Sequence, residues 1–409
     1  MAKVLLSAFA CDPTKGSEPG NGWNWAEGLA KRGNSVHCLT RVVGKSGISG
    51  REVDKRLIFH YIILPLGLEK LYGKGGASMY LYYLLWQWFA YRYAKKLAKT
   101  VSFDVVQHVT WGSIQMGSFL YKLDIPFIFG PSGGGQEAPQ NFKAYFQEHW
   151  KEEINRKKVA DLLIKYNPAF KKMLVNAHTV LVSNEETLYV AKTNGARNVA
   201  LTLDAALPKS FYPDRFEPKN LMDDKLQLLW VGRFMPRKGI LMLLDVMKEL
   251  KTQKNITLTV VGDGEMKDEF LRGIAAYEIE DTVKWVGKVP YEAVREYYAS
   301  HDMFLFASLR DSCPAQLIEA MAFGMPIITI DLHGQALIVN EKNGIKCKCE
   351  TPEIAVNSLK NAILSMSSNN DRFTEMSSEA YKFASAQSWE NKISNIVEKY
   401  YPKVENAIF

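Results

Sequence analysis

The chain has 409 residues, 47% hydrophobic and 23% charged. That balance excludes extended disorder and, at roughly 150 residues per domain, allows two or three separate cores. The net charge of +7 is unevenly spread. Residues 1–205 hold 26 Lys and Arg against 16 Asp and Glu, and the remainder holds 25 against 28. A basic first half beside a mildly acidic second half suggests that the first half meets something anionic. The basic residues lie in dispersed clusters such as "INRKKVADLLIKY" and "FKKML", without a nucleic-acid module, so an anionic membrane surface or acceptor is favoured over nucleic acid. The five cysteines, Cys11, Cys38, Cys313, Cys347 and Cys349, form an odd, scattered set that fits a reducing cytosol. Cys347-Lys-Cys349 reads as a strand-edge pair rather than a zinc site, and no metal is expected anywhere in the chain.

In chain order, "KVLLSAFA" reads as a first strand, its apolar run too short for a secretion signal. A Gly-rich loop and the helical "GWNWAEGLAKRG" follow, then the strand "SVHCLTRVV". Residues 75–91, "GGASMYLYYLLWQWFAY", fall short of the ~20 apolar residues a spanning helix needs. With Arg92, Lys95, Lys96 and Lys99 after it, the stretch reads either as a buried helix or as a surface helix meeting a bilayer. "FDVVQHVT", "IPFIFGPSGGG" and "TVLVSNEET" continue the strand–helix alternation of a parallel, doubly wound sheet. A Pro- and charge-rich stretch, 206–225, reads as a linker, after which the alternation restarts with "LQLLWVGRF", "ITLTVVGDGE", "DTVKWVG" and "DMFLFAS". The expected architecture is α/β: two Rossmann-like, doubly wound domains facing a central cleft. The expected bounds are 1–205, the linker, 226–385, and a C-terminal helix over 386–409. In such sheets ligands bind beyond the carboxyl ends of the strands, so the loops there carry the chemistry.

Three loops stand out. In "DPTKGSEPGNGWNW", 12–25, Gly16, Gly20 and Gly22 lie between strand and helix, as in a phosphate-binding loop or a plain turn. In "WVGRFMPRKGI", 230–240, Gly232 is followed by Arg233, Arg237 and Lys238 just before a helix. Cations at a helix N-terminus oppose its dipole, which an anion between them would relieve. The other reading is a solvated basic loop. In "DSCPAQLIEAMAFGMPIITID", 311–331, Asp311 or Ser312 can cap a helix that Gly324 and Pro326 end. Capping leaves Glu319, mid-helix among apolar residues, unexplained. Cations for a diphosphate and a carboxylate for sugar hydroxyls together describe a nucleotide-sugar site.

The order of "VGRFMPRKG", "VVGDGE", "WVGKVP" and "DSCPAQLIEAMAFGMPI", with "GSEPGNGWNWAEGLAKRG" and "QHVTWGS" in the first half, resembles family 4 of the retaining glycosyltransferases with the GT-B fold. The resemblance implies that Arg233 and Lys238 grip the donor diphosphate, with Gly232 beside them. It implies that Glu319 holds the ribose hydroxyls and that Asp311, where the family usually has Glu, reaches the sugar. Ser312, Cys313, Ala315 and Gln316 would line the sugar and phosphate, Gly20 and Gly22 would face the diphosphate, and Gly287, Lys288 and Val289 would lie near the base. His108 would lie close to the transferred sugar, although a lone histidine ending a strand is also commonly a hydrogen-bonded core residue. Cys313 replaces a frequent aromatic and Pro314 has no N–H to donate.

The resemblance further implies an acceptor-side domain over 1–205, a nucleotide-sugar donor domain over 226–385 and a C-terminal helix crossing back to the first domain. It implies sugar transfer from a UDP- or GDP-linked donor to a hydroxyl of a glycan or lipid-linked acceptor, in bacterial surface-polysaccharide synthesis. Retention of configuration, no metal and no cofactor belong to the same expectation. The expected location is cytoplasmic, with peripheral contact at the inner face of the plasma membrane. The rival readings are a nucleotide-sugar epimerase or sugar phosphorylase on the same plan, and a non-catalytic nucleotide-binding scaffold.

Overall fold

The computed structural model describes residues 1–74, 76–221 and 225–403. Residues 75, 222–224 and 404–409, which belong to the expected aromatic stretch, linker and C-terminal helix, lie outside the described residues. The chain divides into two compact units, Met1–Gly135 with Lys158–Asp204 and Trp389–Phe409, and Gln136–Lys157 with Ala205–Ser388.

The first unit is built on seven strands: β1 (Lys3–Ala8), β2 (Ser35–Arg41), β3 (Leu57–Ile62), β4 (Val105–Thr110), β5 (Phe127–Ser132), β6 (Thr179–Val182) and β7 (Val199–Leu201). They pair in parallel in the order β3-β2-β1-β4-β5-β6-β7, so the order turns back between β1 and β4. Val4 to Ala8 are all buried, as in a strand covered by helices on both faces. The helix Gly76–Leu97 buries Tyr82, Tyr83, Trp86, Ala90 and Ala94, a helical-period stripe packed on Leu5, Phe9 and Val106. Its other side leaves Leu81, Trp88 and Tyr93 exposed, so the aromatic stretch has one core face and one outer face. No helix among the described residues is long and apolar enough to cross a membrane. The C-terminal helix Trp389–Tyr400 belongs to this unit. Trp389 meets Trp25 edge-on at 6.1 Å, and the Tyr401 hydroxyl donates to Gln107 at 2.6 Å.

The second unit has six parallel strands: β8 (Leu226–Val231), β9 (Ile256–Val261), β10 (Val283–Gly287), β11 (Met303–Phe306), β12 (Ile327–Ile330) and β13 (Gly344–Cys347). Their order is β10-β9-β8-β11-β12-β13, turning back between β8 and β11. Cys347 therefore ends an edge strand. Residues 136–157, inside the span expected for the first domain, pack into this unit instead. Phe142 and Phe146 are completely buried in its core, the Tyr145 hydroxyl donates to Asp245 at 2.7 Å, and Glu153 takes both arms of Arg310 at 2.7 Å. Apolar burial and a bidentate ion pair hold the excursion there.

Candidate functional site

In the second unit the basic loop and the acidic loop leave adjacent strands. β8 pairs with β11, Met303 opposite Leu228 and Phe304 opposite Leu229. The strand order reverses at this pair, the place where ligands bind in open α/β sheets. The loop after β8 makes a short turn, Pro236–Lys238, closed by Gly239 at φ 64°. A side-chain carbon on Gly239 would lie 2.1 Å from the Ala307 carbonyl oxygen, so only glycine allows this approach to the loop after β11. Two bonds lock the loops together. Leu309 N–H donates to the Arg237 carbonyl at 2.8 Å, and the Ser308 hydroxyl donates to the same oxygen at 3.0 Å.

This locking brings Lys238 and Asp311 into a buried ion pair on Asp311 Oδ2, with Arg237 Nη1 at 3.3 Å from the same oxygen. Arg237 Nη1 also donates to the Arg310 carbonyl at 2.9 Å, and Arg310 is itself held by Glu153. Burial alone would raise the Asp311 pKa, but the Lys238 and Arg237 charges hold it below the ordinary carboxylate range. Burial lowers the Lys238 pKa, and the Asp311 charge opposes that shift. Arg233 differs from both: it is exposed and makes no side-chain hydrogen bond or ion pair among the described residues. Among the described residues, Arg233 is thus an unbonded surface cation, while Lys238, buried, and Arg237, half-buried, share Asp311 as their counter-ion.

Glu319 is in the helix Ala315–Met321, of which Ala315 and Gln316 form the start. Glu319 is 9% exposed, and its carboxylate accepts the Tyr291 hydroxyl at 3.0 Å and the Tyr298 hydroxyl at 2.8 Å. Burial raises its pKa, while the two phenols and the Lys238 charge pull the other way. The mid-helix carboxylate that capping could not explain is therefore a satisfied, buried acceptor with lone pairs remaining on each oxygen. Sequence reasoning missed Tyr291, Tyr298 and Ser308, and gave Arg237 no role of its own. Arg237 was visible as a third cation of its loop, whereas the tyrosines lie on a helix far back in sequence.

The remaining expected donor residues are placed as follows. Gly232 donates to the Val261 carbonyl at 3.0 Å, and the next strand's Gly262 donates to the Gly287 carbonyl at 2.8 Å, so the loops after β8, β9 and β10 touch in series. Lys288 is exposed and Val289 half-buried just beyond Gly287. Ser312 and Cys313 form the loop before Pro314, with Gly334 N–H donating to the Asp311 carbonyl at 3.2 Å.

In the first unit, Gly20 and Gly22 are inside the helix Ser17–Lys31 rather than in the loop before it. A side-chain carbon on Gly22 would lie 1.9 Å from the Ala10 carbonyl oxygen, so that glycine lets the helix close onto the chain leaving β1. His108 lies within β4 and is 1% exposed. Its ring stacks on Phe129 at 4.9 Å, Nδ1 meets the Ser7 hydroxyl at 3.2 Å, and Nε2 meets the Tyr83 hydroxyl at 3.2 Å. Desolvation lowers its pKa to about 4, so it is neutral near pH 7. That is the geometry of a hydrogen-bonded core histidine.

Residues 212–383 match the family model described as glycosyl transferases group 1. Sucrose-phosphate synthase from Thermosynechococcus elongatus is similar over 98% of each chain, at 19% identity and TM-score 0.68. HepE from Anabaena, in complex with UDP, is similar over 97% of this chain and 99% of its own, at 15% identity and TM-score 0.63. The chain has the GT-B fold. Among sequence relatives, the GPI3 subunit of phosphatidylinositol N-acetylglucosaminyltransferase from Saccharomyces cerevisiae (strain YJM789) is 24% identical over 188 residues, 42% of each chain. The amylovoran biosynthesis glycosyltransferase AmsK from Erwinia amylovora is 30% identical over 131 residues, 30% of this chain and 32% of its own. The chain thus spans 42% and 32% of the length of these two relatives.

Proposed function

We propose that the protein is a retaining glycosyltransferase of family 4, moving a hexose-type sugar from a nucleoside diphosphate sugar to a hydroxyl of a glycan or lipid-linked acceptor in polysaccharide synthesis. The observation that carries this reading is the grouping of Arg237 and Lys238 on Asp311, and of Lys238's charge with Glu319, at the reversal of the second sheet, with Arg233 exposed on the same loop. In the proposal, Arg233 and Lys238 hold the diphosphate, Glu319 takes the ribose hydroxyls, and Asp311 turns to the sugar once the diphosphate replaces it beside Lys238. The acceptor oxygen bonds to the anomeric carbon as the bond to the diphosphate oxygen breaks. The acceptor proton passes to that departing oxygen on the same face. Fixed cations then stabilise the charge that develops on the leaving group. The relatives named for polysaccharide and lipid-linked sugar transfer support the acceptor class.

The test is a thermal-shift panel of UDP, GDP, ADP and their sugar conjugates, with HepE's UDP complex making UDP the first arm. A rise with one nucleotide series, followed by sugar transfer from that donor with retained configuration, is expected. No rise with any nucleotide would refute the donor site. Product formed from the donor alone would favour an epimerase. The exposed Leu81, Trp88 and Tyr93 beside Lys95 and Lys96 support peripheral membrane contact, which sedimentation with anionic vesicles would test.

A further inference from the structure

The reversal of the first sheet, between β1 and β4, also has ionisable side chains at its carboxyl edge, and the donor reading uses none of them. Arg41 ends β2 and is 8% exposed. Its guanidinium lies between two rings, 4.2 Å from the Phe9 centroid and 4.1 Å from that of Tyr72. Nε donates to the Phe9 carbonyl at 3.3 Å and Nη2 to the Tyr72 hydroxyl at 3.5 Å. Among the described residues, no carboxylate is within ion-pair distance of it. Arginine cannot shed its charge, and a buried charge is normally paired. A guanidinium stacked between aromatics, with the Glu18 charge felt at a distance but no carboxylate in direct contact, suits an anion that comes from outside the chain. Tyr72 is 38% exposed, so one wall of the stack reaches the surface.

Two neighbours add sugar-binding chemistry. Glu18, on the helix after β1, accepts the Gly112 N–H at 2.7 Å and feels the Arg41 charge without touching it. Trp111, just beyond β4 and half-buried, stacks with Phe9 at 5.9 Å and with Tyr80 at 6.1 Å. Aromatic faces take sugar rings and a carboxylate accepts their hydroxyls. With the acceptor taken by the first unit, as the glycosyltransferase reading has it, we propose that this acceptor carries an anionic group, phosphate or carboxylate, that Arg41 recognises. The proposal rests on the glycosyltransferase reading and specifies its acceptor.

The test uses the full chain and three probes: p-nitrophenyl glucuronide, the neutral p-nitrophenyl glucoside, and glucose on a short polyprenyl diphosphate. Binding is followed by saturation-transfer NMR without donor. Wild type is expected to bind at least one anionic probe about tenfold or more tighter than the glucoside, the usual worth of a charge-assisted contact. Which anionic probe wins separates a carboxylate from a lipid phosphate. Arg41→Gln is expected to erase the preference and Arg41→Lys to keep part of it, with the nucleotide thermal shift unchanged in both. Equal binding of neutral and anionic probes by wild type, or a preference intact in Arg41→Gln, would overturn the proposal. If Arg41→Gln does not fold, the wild-type ranking and Arg41→Lys decide. Anionic preference without any sugar transfer would keep this site and remove the glycosyltransferase reading, and transfer without the preference would do the reverse.

Discussion

Lys238→Met should separate the structural from the chemical role of the buried cation. The side chains of Lys238 and Asp311 are 7% and 14% exposed. Removing one partner of a buried ion pair costs about 3–5 kcal/mol, because the other charge is stranded. Here Arg237 Nη1 stays 3.3 Å from the same oxygen and the Ser308 hydroxyl 3.4 Å from it. With that partial compensation, the loss should fall to about 2 kcal/mol, on the order of 4–8 °C in Tm for a unit of this size. Asp311→Leu should cost a similar amount by leaving the ammonium buried. The double variant should be less destabilised than the sum, with a coupling of about 2 kcal/mol. The pH dependence follows from the Asp311 shift. A carboxyl whose folded pKa is depressed contributes stability above its unfolded value of about 3.9, and loses it as pH falls through the folded value. The Tm gap between wild type and Lys238→Met should therefore be widest near neutrality and narrow below about pH 4. Scanning calorimetry of the four proteins measures all of this. Nucleoside diphosphate should stabilise Asp311→Leu more than wild type, because the ligand then supplies the missing counter-charge. Additivity within about 0.5 kcal/mol, with no nucleotide effect, would refute the argument.

Three further outcomes follow from the same geometry. Arg233→Ala should leave Tm within about 1–2 °C, since the side chain is exposed and unbonded, yet weaken nucleotide binding about tenfold by calorimetry. Unchanged affinity would remove Arg233 from the site. Glu319→Gln should weaken ribonucleotide binding about tenfold, but should not further weaken the 2′-deoxy and 3′-deoxy nucleotides if the carboxylate reads ribose hydroxyls. An equal loss for all three would sink that role. His108, with its pKa lowered to about 4 from an unfolded value near 6.5, binds fewer protons folded than unfolded between those pH values. It should cost the first unit up to about 3 kcal/mol as pH falls across that window. His108→Gln should flatten the acid side of the Tm profile, and a profile identical to wild type would contradict a buried neutral imidazole.

Much of the fold was legible because parallel strands covered on both faces write themselves as short continuous apolar runs, and "LQLLWVG" and "MFLFAS" are such runs. The cations of 233–238 and the carboxylate Asp311 stood out as candidates because their loops leave the carboxyl ends of neighbouring strands, and Glu319 because it is a carboxylate inside the apolar helix that follows. What the sequence hid has one physical cause: partners chosen by tertiary packing. Tyr298 and Tyr291 precede Glu319 by 21 and 28 residues, and nothing local marks them as its hydrogen-bond donors. Residues 136–157 follow a Gly-rich loop of the first unit, and only the burial of Phe142 and Phe146 reveals which core they join.

The two histidine and glycine features show the converse. His108 and Gly22 look chemical in one dimension, since His108 lies near the end of an apolar run and Gly22 in the Gly-rich segment that follows one, where ligands bind in open α/β sheets. In three dimensions His108 uses both ring nitrogens inside the unit, and Gly22 is small because a carbonyl oxygen lies 1.9 Å from where a side chain would begin. Arg41 is the opposite case. In sequence it is one more basic residue ending a strand, but it is buried between Phe9 and Tyr72 with no direct ion pair, and the Glu18 charge reaches it only at a distance. Satisfied polar groups explain a fold, and a buried charge left unpaired marks where a ligand should be sought.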